Sequence, residues 1–433
     1  MALVRRVNVY RGTAIAIAMV VGSGLFGLPG LAIGATDHIT ALAAWAIVAL
    51  CVAPIIHIFS DLGAREASAE GVAGFAASAI GNWSRGGFSL IACGALAVGM
   101  PAFFLVIGAY TAELFDLDPS VWRGPIAIAF AWASTLLNAR GVQNMGAINQ
   151  LIVISVIVMM VGIIGVTAPG LGSESAQMSR DLVTHDWDFV AIWTACAIVF
   201  WAFQGWENLS FGLGEFENPK RTIPRVFWFS FLLVVGLYLA FAWVVSASHY
   251  SGVDVSGLSG ISALLGDGWV RTVLLTTMVV VLFANANSWV FGASRAFYSA
   301  ADLGMLPRAC AGTDASGTPV RALIGAAALY TVIIAVIEFT GIPESTAFIM
   351  TTQGFIILYG FSILSYLRHN VRAASAWLIA LLALAGWLFL MHGFNWLLLY
   401  PLALFVVGVV RTGRLGAMRQ GGLALAGDRE SSL

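Results

Sequence analysis

Twelve apolar runs, each near the length of a bilayer-crossing helix, recur through this sequence at 12–34, 40–60, 87–112, 122–139, 146–168, 189–212, 226–247, 271–294, 321–340, 346–367, 375–390 and 395–411. An α-helix needs about 20 consecutive apolar residues to cross the hydrocarbon, and in lipid every backbone N–H and C=O must find its partner within such a segment. The runs predict an all-α polytopic membrane protein with twelve transmembrane helices. Composition agrees: 60% of the 433 residues are apolar and 10% are charged, with mean hydropathy +0.90, too little charge to coat a water-soluble surface. Sixty per cent of 433 is about 260 residues, and a dozen spans absorb nearly all of them. The longest polar stretches, 61–86, 169–188 and 248–270, hold too few apolar residues to fold alone, and the tail after Arg411 reads as disordered.

Basic residues give an independent check, because Lys and Arg are retained in the cytoplasm during insertion. With both termini inside, Arg5, Arg6, Arg11, Arg65, Arg85, Arg140, Lys220, Arg221, Arg225, Arg295, Arg308, Arg321, Arg368, Arg372, Arg411, Arg414, Arg419 and Arg429 share one side, 18 of 21. Only Arg123, Arg180 and Arg271 fall on the other. A missed or invented helix in the middle would scramble that separation. The expected location is the cell (inner, cytoplasmic) membrane, multi-pass, with both termini cytoplasmic and the lipid bilayer as partner. A net charge of −1, with Lys220 as the only lysine, argues against a nucleic-acid partner. The first run follows Arg5, Arg6 and Arg11 as a signal peptide would, but it is long, glycine-interrupted and lacks a small-residue cleavage site, so it counts as a span. Cys51, Cys93, Cys196 and Cys310 have no paired spacing, and His38, His57, His185, His249, His369 and His392 have no ligand spacing, so neither disulfides nor a metal site is expected.

Two spans differ from the rest. The first carries Gly22-Ser23-Gly24-Leu25-Phe26-Gly27 with Pro29 and Gly30 behind it, a density of helix breakers that weakens a continuous helix. The sixth carries Phe203-Gln204-Gly205-Trp206-Glu207-Asn208, polar and charged side chains where plain hydrocarbon belongs. Span six follows span one by a unit of five helices, and an odd-numbered repeat enters the membrane inverted the second time, which predicts a 5+5 inverted repeat with helices 1 and 6 discontinuous. An interrupted helix exposes N–H groups at the start of its second half and C=O groups at the end of its first. The amides around Ser23, Gly24 and Leu25 suit a carboxylate, and the carbonyls of Val20, Trp201 and Gln204 suit an ammonium, which together describe an α-amino acid backbone. The first hexad also spells the dinucleotide fingerprint, but inside a span rather than between strand and helix, so no nicotinamide and no other cofactor is expected.

The motif Gly22-Ser23-Gly24-Leu25-Phe26, then Phe200-Trp201-Ala202-Phe203-Gln204-Gly205-Trp206-Glu207, then Glu215 to Arg225 with Asn218-Pro219-Lys220-Arg221 inside it, resemble the signature of the amino acid-polyamine-organocation (APC) superfamily. Ser288-Trp289 through Arg295 to Asp302-Leu303-Gly304-Met305-Leu306-Pro307 adds a fourth match. Within the superfamily the chain most resembles bacterial exporters of methionine and branched-chain amino acids. The resemblance implies a LeuT-like fold, a substrate carboxylate on Ser23 and Gly24, an aromatic cover at Trp201 and an aromatic border at Trp289. Some proton-coupled relatives carry a lysine in span five, where Gly141 to Ser179 holds no basic residue and Ser155 or Val156 takes the corresponding position.

Glu207 is the one acidic residue placed well inside a span, and leaving it ionised there costs on the order of 3 kcal/mol, so it needs a partner, water or a proton. It is the candidate for a proton-linked switch, gating with Trp201; bonding the exposed backbone of span six is its structural alternative. Sodium coupling, exchange and uniport stay open. No Lys or Arg lies at depth to meet an acidic cargo, and Glu207 alone is too little acid for a cationic one, which leaves neutral apolar amino acids. Met19, Met100, Phe103, Phe104 and Phe203 could line their pocket. The stretch from Glu215 to Arg225 reads as a turn before span seven with a structural or gating role.

The expected organisation is an N-terminal segment over 1–11, a first repeat over 12–168, an inverted second repeat over 189–367, helices 11 and 12 over 375–411 and a cytoplasmic tail over 412–433. The substrate-binding set is Val20, Gly22, Ser23, Gly24, Leu25, Trp201, Phe203, Gln204, Gly205 and Trp289. No catalytic residues are expected, since the spans hold neither a nucleophile with its base nor a metal cluster. The functional expectation is a secondary active transporter of neutral amino acids working by alternating access, exporting methionine and branched-chain amino acids. The alternatives are an importer or exchanger of other amino acids, and a membrane sensor or channel.

Overall fold

The computed structural model describes residues 4–140, 154, 157, 158, 160–162, 164, 165, 167–256, 268–391 and 395–430, with the side chains of 23–26, 169, 270, 271, 274, 344, 345 and 416–430 outside the description. Among these residues the protein is all-helical, and nine helices are long and apolar enough to cross a membrane. The expected first span is two short helices, α1 (Val9–Val20) and α2 (Ser23–Ala35). Next come α3 (His38–Arg65), α4 (Gly71–Ile80), α5 (Arg85–Leu114) and α6 (Pro119–Ala139). The expected fifth run, with Ser155 and Val156, lies mostly outside the described residues. After it stand α7 (Gly172–Thr184), α8 (Phe189–Phe200), a 3-10 turn at Trp201–Phe203 and the short α9 (Trp206–Ser210). The chain closes with α10 (Pro219–Tyr250), α11 (Trp269–Asp302), α12 (Val320–Thr340), α13 (Glu344–Asn370), α14 (Ala374–Met391) and α15 (Leu399–Glu430).

Aspartates fix several helix starts by accepting the N–H groups that the first turn leaves unpaired. Asp37 takes Ile39 and Thr40 N–H at 2.8 and 2.9 Å, and Asp188 takes Val190 and Ala191 at 3.1 and 3.2 Å. The core forms around α5, which packs against α6, α11, α13 and α15, while α3 lies along α10 and α1 against α10 and α11. The two broken segments are thereby held inside the bundle rather than at its lipid-facing rim.

Three connectors differ from the sequence expectation. The stretch 61–86 contains α4 and the stretch 169–188 contains α7, whose Ser175 hydroxyl receives the Trp243 indole N–H at 3.1 Å, so a polar helix is docked on α10 rather than left as a loop. The expected turn before span seven is already helix: Pro219 occupies the first position of α10, where its missing N–H costs nothing, and Lys220, Arg221 and Arg225 sit on the first two turns. The tail expected to be disordered continues α15 through Glu430.

Candidate functional site

α1 stops at Val20 because the chain turns extended at Val21 and Gly22, leaving the last carbonyls of the helix without intrahelical partners. Polar side chains from two other helices take them up. Asn285 Nδ2 donates to the Ala18 and Met19 carbonyls, each at 2.8 Å, and the Trp289 indole N–H donates to Met19 at 2.8 Å. The Tyr238 hydroxyl reaches both the Val20 carbonyl at 3.0 Å and the Ala202 carbonyl at 3.2 Å, tying the two breaks together. Gly22 has to be glycine here, since a Cβ would stand 2.6 Å from the Asn285 carboxamide carbon. On the far side of the break α2 begins at Ser23, so the N–H groups of Ser23, Gly24 and Leu25 have no partner within the helix. The side chains of Ser23 and Leu25 are outside the described residues.

The second break has a different construction. α8 tightens into the 3-10 turn, Gln204 is extended, and Gly205 takes φ +133°, a conformation open to glycine alone at little cost. A Cβ on Gly205 would also lie 2.7 Å from the Met19 carbonyl, so the two breaks touch backbone to backbone. Glu207 is fully buried; its Oε1 accepts the Gly205 N–H at 3.1 Å and its Oε2 accepts the Tyr359 hydroxyl of α13. Its neighbour Ser210 bonds the Glu207 carbonyl at 2.5 Å and receives the Val72 N–H at 2.7 Å, anchoring α9 to α4.

Between the breaks lies a small cavity of about 50 Å³, room for a few waters. Met19, Val20, Gly22, Trp201, Gln204 and Trp289 line it, with Met100, Phe103, Asn285, Phe348 and Thr351. Among the described residues, no charged side chain lines it. Gln204 donates through Nε2 to Thr352 at 3.0 Å, and its buried Oε1 accepts no hydrogen bond among the described residues. Trp201 stacks edge-on to Phe348 at 4.6 Å between ring centres. These two residues also line a second cavity of about 300 Å³ on their other side, with Trp193 and Phe389. They form a two-ring partition between the smaller cavity and the end of the bundle where α14 finishes.

Of the residues singled out in the sequence, Val20, Gly22, Trp201, Gln204 and Trp289 meet at one cavity and Gly205 adjoins it. Phe203 does not line it; its ring packs 5.4 Å from Tyr238 and 6.1 Å from Trp45, because the 3-10 turn rotates it away from Trp201. Phe104 packs against Tyr330 instead. The Val20 carbonyl already carries the Tyr238 bond, and the Trp201 carbonyl accepts the Gln204 N–H at 3.3 Å. Tyr238, Asn285, Phe348, Thr351 and Tyr359 were not anticipated. Only Asn285 had a visible signal, the polar run Asn285-Ala286-Asn287-Ser288 inside an apolar span.

At the opposite end, Arg295 and Glu215 form an ion pair at 2.6 Å, with 1% and 4% of their side chains exposed. Arg295 lies 3.9 Å over the Phe291 ring and also donates to the Ser294 hydroxyl at 2.8 Å. The Glu215 carbonyl accepts the Arg6 and Val7 N–H groups at 2.8 and 2.9 Å, and Val7 returns a bond from Glu217 N–H at 2.9 Å. The N-terminal segment is thus laced across the foot of α9.

The comparisons with known proteins fit this architecture. The amino acid permease family model matches residues 8–415. An uncharacterized amino acid permease of Bacillus subtilis, YecA, is 24% identical over 94% of this chain and 95% of its own. The L-methionine/branched-chain amino acid exporter YjeH of Escherichia coli is 23% identical over 69% of this chain and 71% of its own. The cadaverine/lysine antiporter of Escherichia coli is 24% identical over 78% of this chain and 76% of its own. Among solved structures, MhsT in complex with L-phenylalanine superposes with a TM-score of 0.64 over 94% of this chain and all of its own, at 16% identity, a likeness of fold. With the family model spanning nearly the whole sequence and apolar helices throughout, this chain belongs to the amino acid permease family of the APC superfamily and is a multi-pass membrane transporter.

Proposed function

We propose that this permease is a secondary active transporter that exports neutral apolar amino acids, methionine and the branched-chain set, by alternating access around its two broken helices. The observation that carries this reading is the cavity itself: two helix breaks in backbone contact, apolar and thioether walls, no charged lining residue, and one buried acceptor, Gln204 Oε1, left without a partner. A zwitterion placed there has its carboxylate at the free N–H groups of Ser23, Gly24 and Leu25, where the positive end of α2 adds to them. Its ammonium falls to Gln204 Oε1 and the carbonyls of Trp201 and Val20, while Met19, Met100 and Phe103 meet the side chain. Met19 and Met100 adapt to straight and branched chains alike. A cationic cargo would bring a second charge to walls that offer it no carboxylate.

At about 50 Å³ the cavity is too small for a leucine in this conformation, so binding one requires Trp201 and Phe348 to part. With Arg295–Glu215 closing the other end, the geometry supports an alternation in which one gate opens only when the other is shut. Glu207 is the coupling candidate, with H+ as the ion and Na+ as its competitor. Twelve spans in a 5+5 inverted repeat, both termini in the cytoplasm and placement in the inner membrane complete the reading. The likeness to an exporter supports outward transport. Paired efflux and uptake assays of labelled methionine and leucine, in cells with and without the protein, test it: faster efflux is expected, and accelerated uptake without efflux would make the protein an importer.

A further inference from the structure

Away from the transport cavity, a cleft of about 820 Å³ opens between the end of α3, α4 and the starts of α5 and α10. Five cations line it, Arg5, Arg65, Arg85, Lys220 and Arg221, against two carboxylates, Glu66 and Glu70. Two of the cations are already committed. Arg85 grips Glu70 through two bonds of 2.6 and 2.5 Å, and Arg65 grips Asp61 through two of 3.0 and 3.1 Å. Glu66 faces His369 at 3.6 Å. Arg5, Lys220 and Arg221 are exposed and their side chains make no ion pair among the described residues.

Retention of positive charge in the cytoplasm puts cations on this face, but it does not require them to converge. Arg308, Arg372 and Arg414 satisfy the same rule from exposed positions outside the cleft. Convergence has an electrostatic cost, because three like charges around one concavity repel and its low-dielectric walls concentrate their field. The start of α10, a 32-residue helix whose Asn218 cap offers no side-chain bond, adds its positive end to the same space. Ser68 and Asn82 supply further polar groups on the walls, while the Ser78 hydroxyl is taken up by the Phe75 carbonyl and the Ser365 hydroxyl. Guanidinium forks and an ammonium around a concave wall match the tetrahedral oxygens of a phosphate.

We propose that this cleft is a binding site for a phosphate group, that of an anionic phospholipid headgroup, held by Arg5, Lys220 and Arg221. Basic pockets between the ends of spanning helices suit such headgroups, at about 1 kcal/mol per cation near the surface. The site is separate from the transport cavity, so its occupancy can be read whether or not the transported substrate has been identified.

Lys220 is the only lysine in the chain, so an amine-reactive label, read by peptide mass and separated from the N-terminal amine, reports on the cleft alone. The full-length protein is labelled in nanodiscs of phosphatidylcholine, of phosphatidylcholine with phosphatidylglycerol, and of phosphatidylcholine with inorganic phosphate added. Phosphatidylglycerol should slow Lys220 labelling and remain bound in native mass spectra. Arg5→Gln/Arg221→Gln should weaken that retention roughly 30-fold, two cations at the value above, while Arg372→Gln/Arg414→Gln leaves it unchanged. Protection by inorganic phosphate alone would assign the site to free phosphate. Equal labelling in all three environments, or retention unaltered in the Arg5→Gln/Arg221→Gln protein, would overturn the proposal.

Discussion

Glu207 and Tyr359 share one hydrogen bond across the second helix break, the tyrosine hydroxyl donating to Oε2 while the Gly205 N–H donates to Oε1. The carboxyl therefore links α13 to the hinge of α8 and α9, and a change in its protonation acts on both. Glu207→Gln keeps the shape and removes the titration. Wild-type counterflow should vary with pH and Glu207→Gln counterflow should not. A retained wild-type profile would reduce Glu207 to a structural link.

Gln204 separates binding from folding. Its Oε1 is buried and accepts nothing, so replacing it with leucine relieves an unpaired acceptor while losing one bond to Thr352. Gln204→Leu should weaken substrate binding by about 10-fold, equivalent to about 1.4 kcal/mol, and change unfolding stability by less than about 1 kcal/mol. Binding by isothermal calorimetry alongside thermal unfolding in detergent separates the two; wild-type affinity would remove Gln204 from the ammonium site.

Breaking one partner of a buried ion pair strands the other, at about 3–5 kcal/mol, whereas replacing both with apolar groups is often close to neutral. Glu215→Ala should therefore destabilise the protein strongly and expose the N-terminal segment, raising the labelling rate of a cysteine placed at Val7. Glu215→Leu/Arg295→Met should recover most of the stability. A double-mutant cycle with no coupling between these positions would deny them a joint role at that gate.

Asp37 stands just ahead of α3, outside the span. Burial by itself would raise its carboxyl, but the Thr40 hydroxyl and N–H, the facing His185 and the Ile39 N–H outweigh it and hold the carboxyl below its ordinary value. A carboxyl depressed on folding lends stability above its unfolded pKa of about 3.9 and loses it as pH falls through the folded value. Asp37→Ala should lower stability by about 1 kcal/mol at neutral pH through the lost cap, and the gap should close below about pH 4. A gap constant down to strongly acidic pH would contradict this account.

What was legible in the sequence was whatever a single segment encodes. The spans follow from run length, and the breaks at Gly22 and Gly205 follow from glycines and polar side chains where hydrocarbon belongs. Glu207 was legible for the same reason. What could not be read were partners brought in from distant segments: Tyr238 and Tyr359 are tyrosines in apolar runs, and nothing local says that one caps Val20 and the other reaches Glu207. Phe203 was assigned to the pocket from its neighbourhood in sequence, but three residues of 3-10 geometry turned it toward Trp45. The connectors holding α4 and α7 were read as loops because α4 is too short to pass for a span and α7 is largely polar, and such short helices draw their stability from docking on the bundle.

The central claim is that the two breaks hold the backbone of a neutral apolar amino acid. It is tested most directly by counterflow of labelled leucine and methionine into proteoliposomes loaded with unlabelled amino acids, with pH and sodium varied. Internal methionine, leucine, isoleucine or valine should accelerate uptake, and lysine or glutamate should not. An absence of counterflow with any amino acid, in protein shown to be folded, would contradict the account.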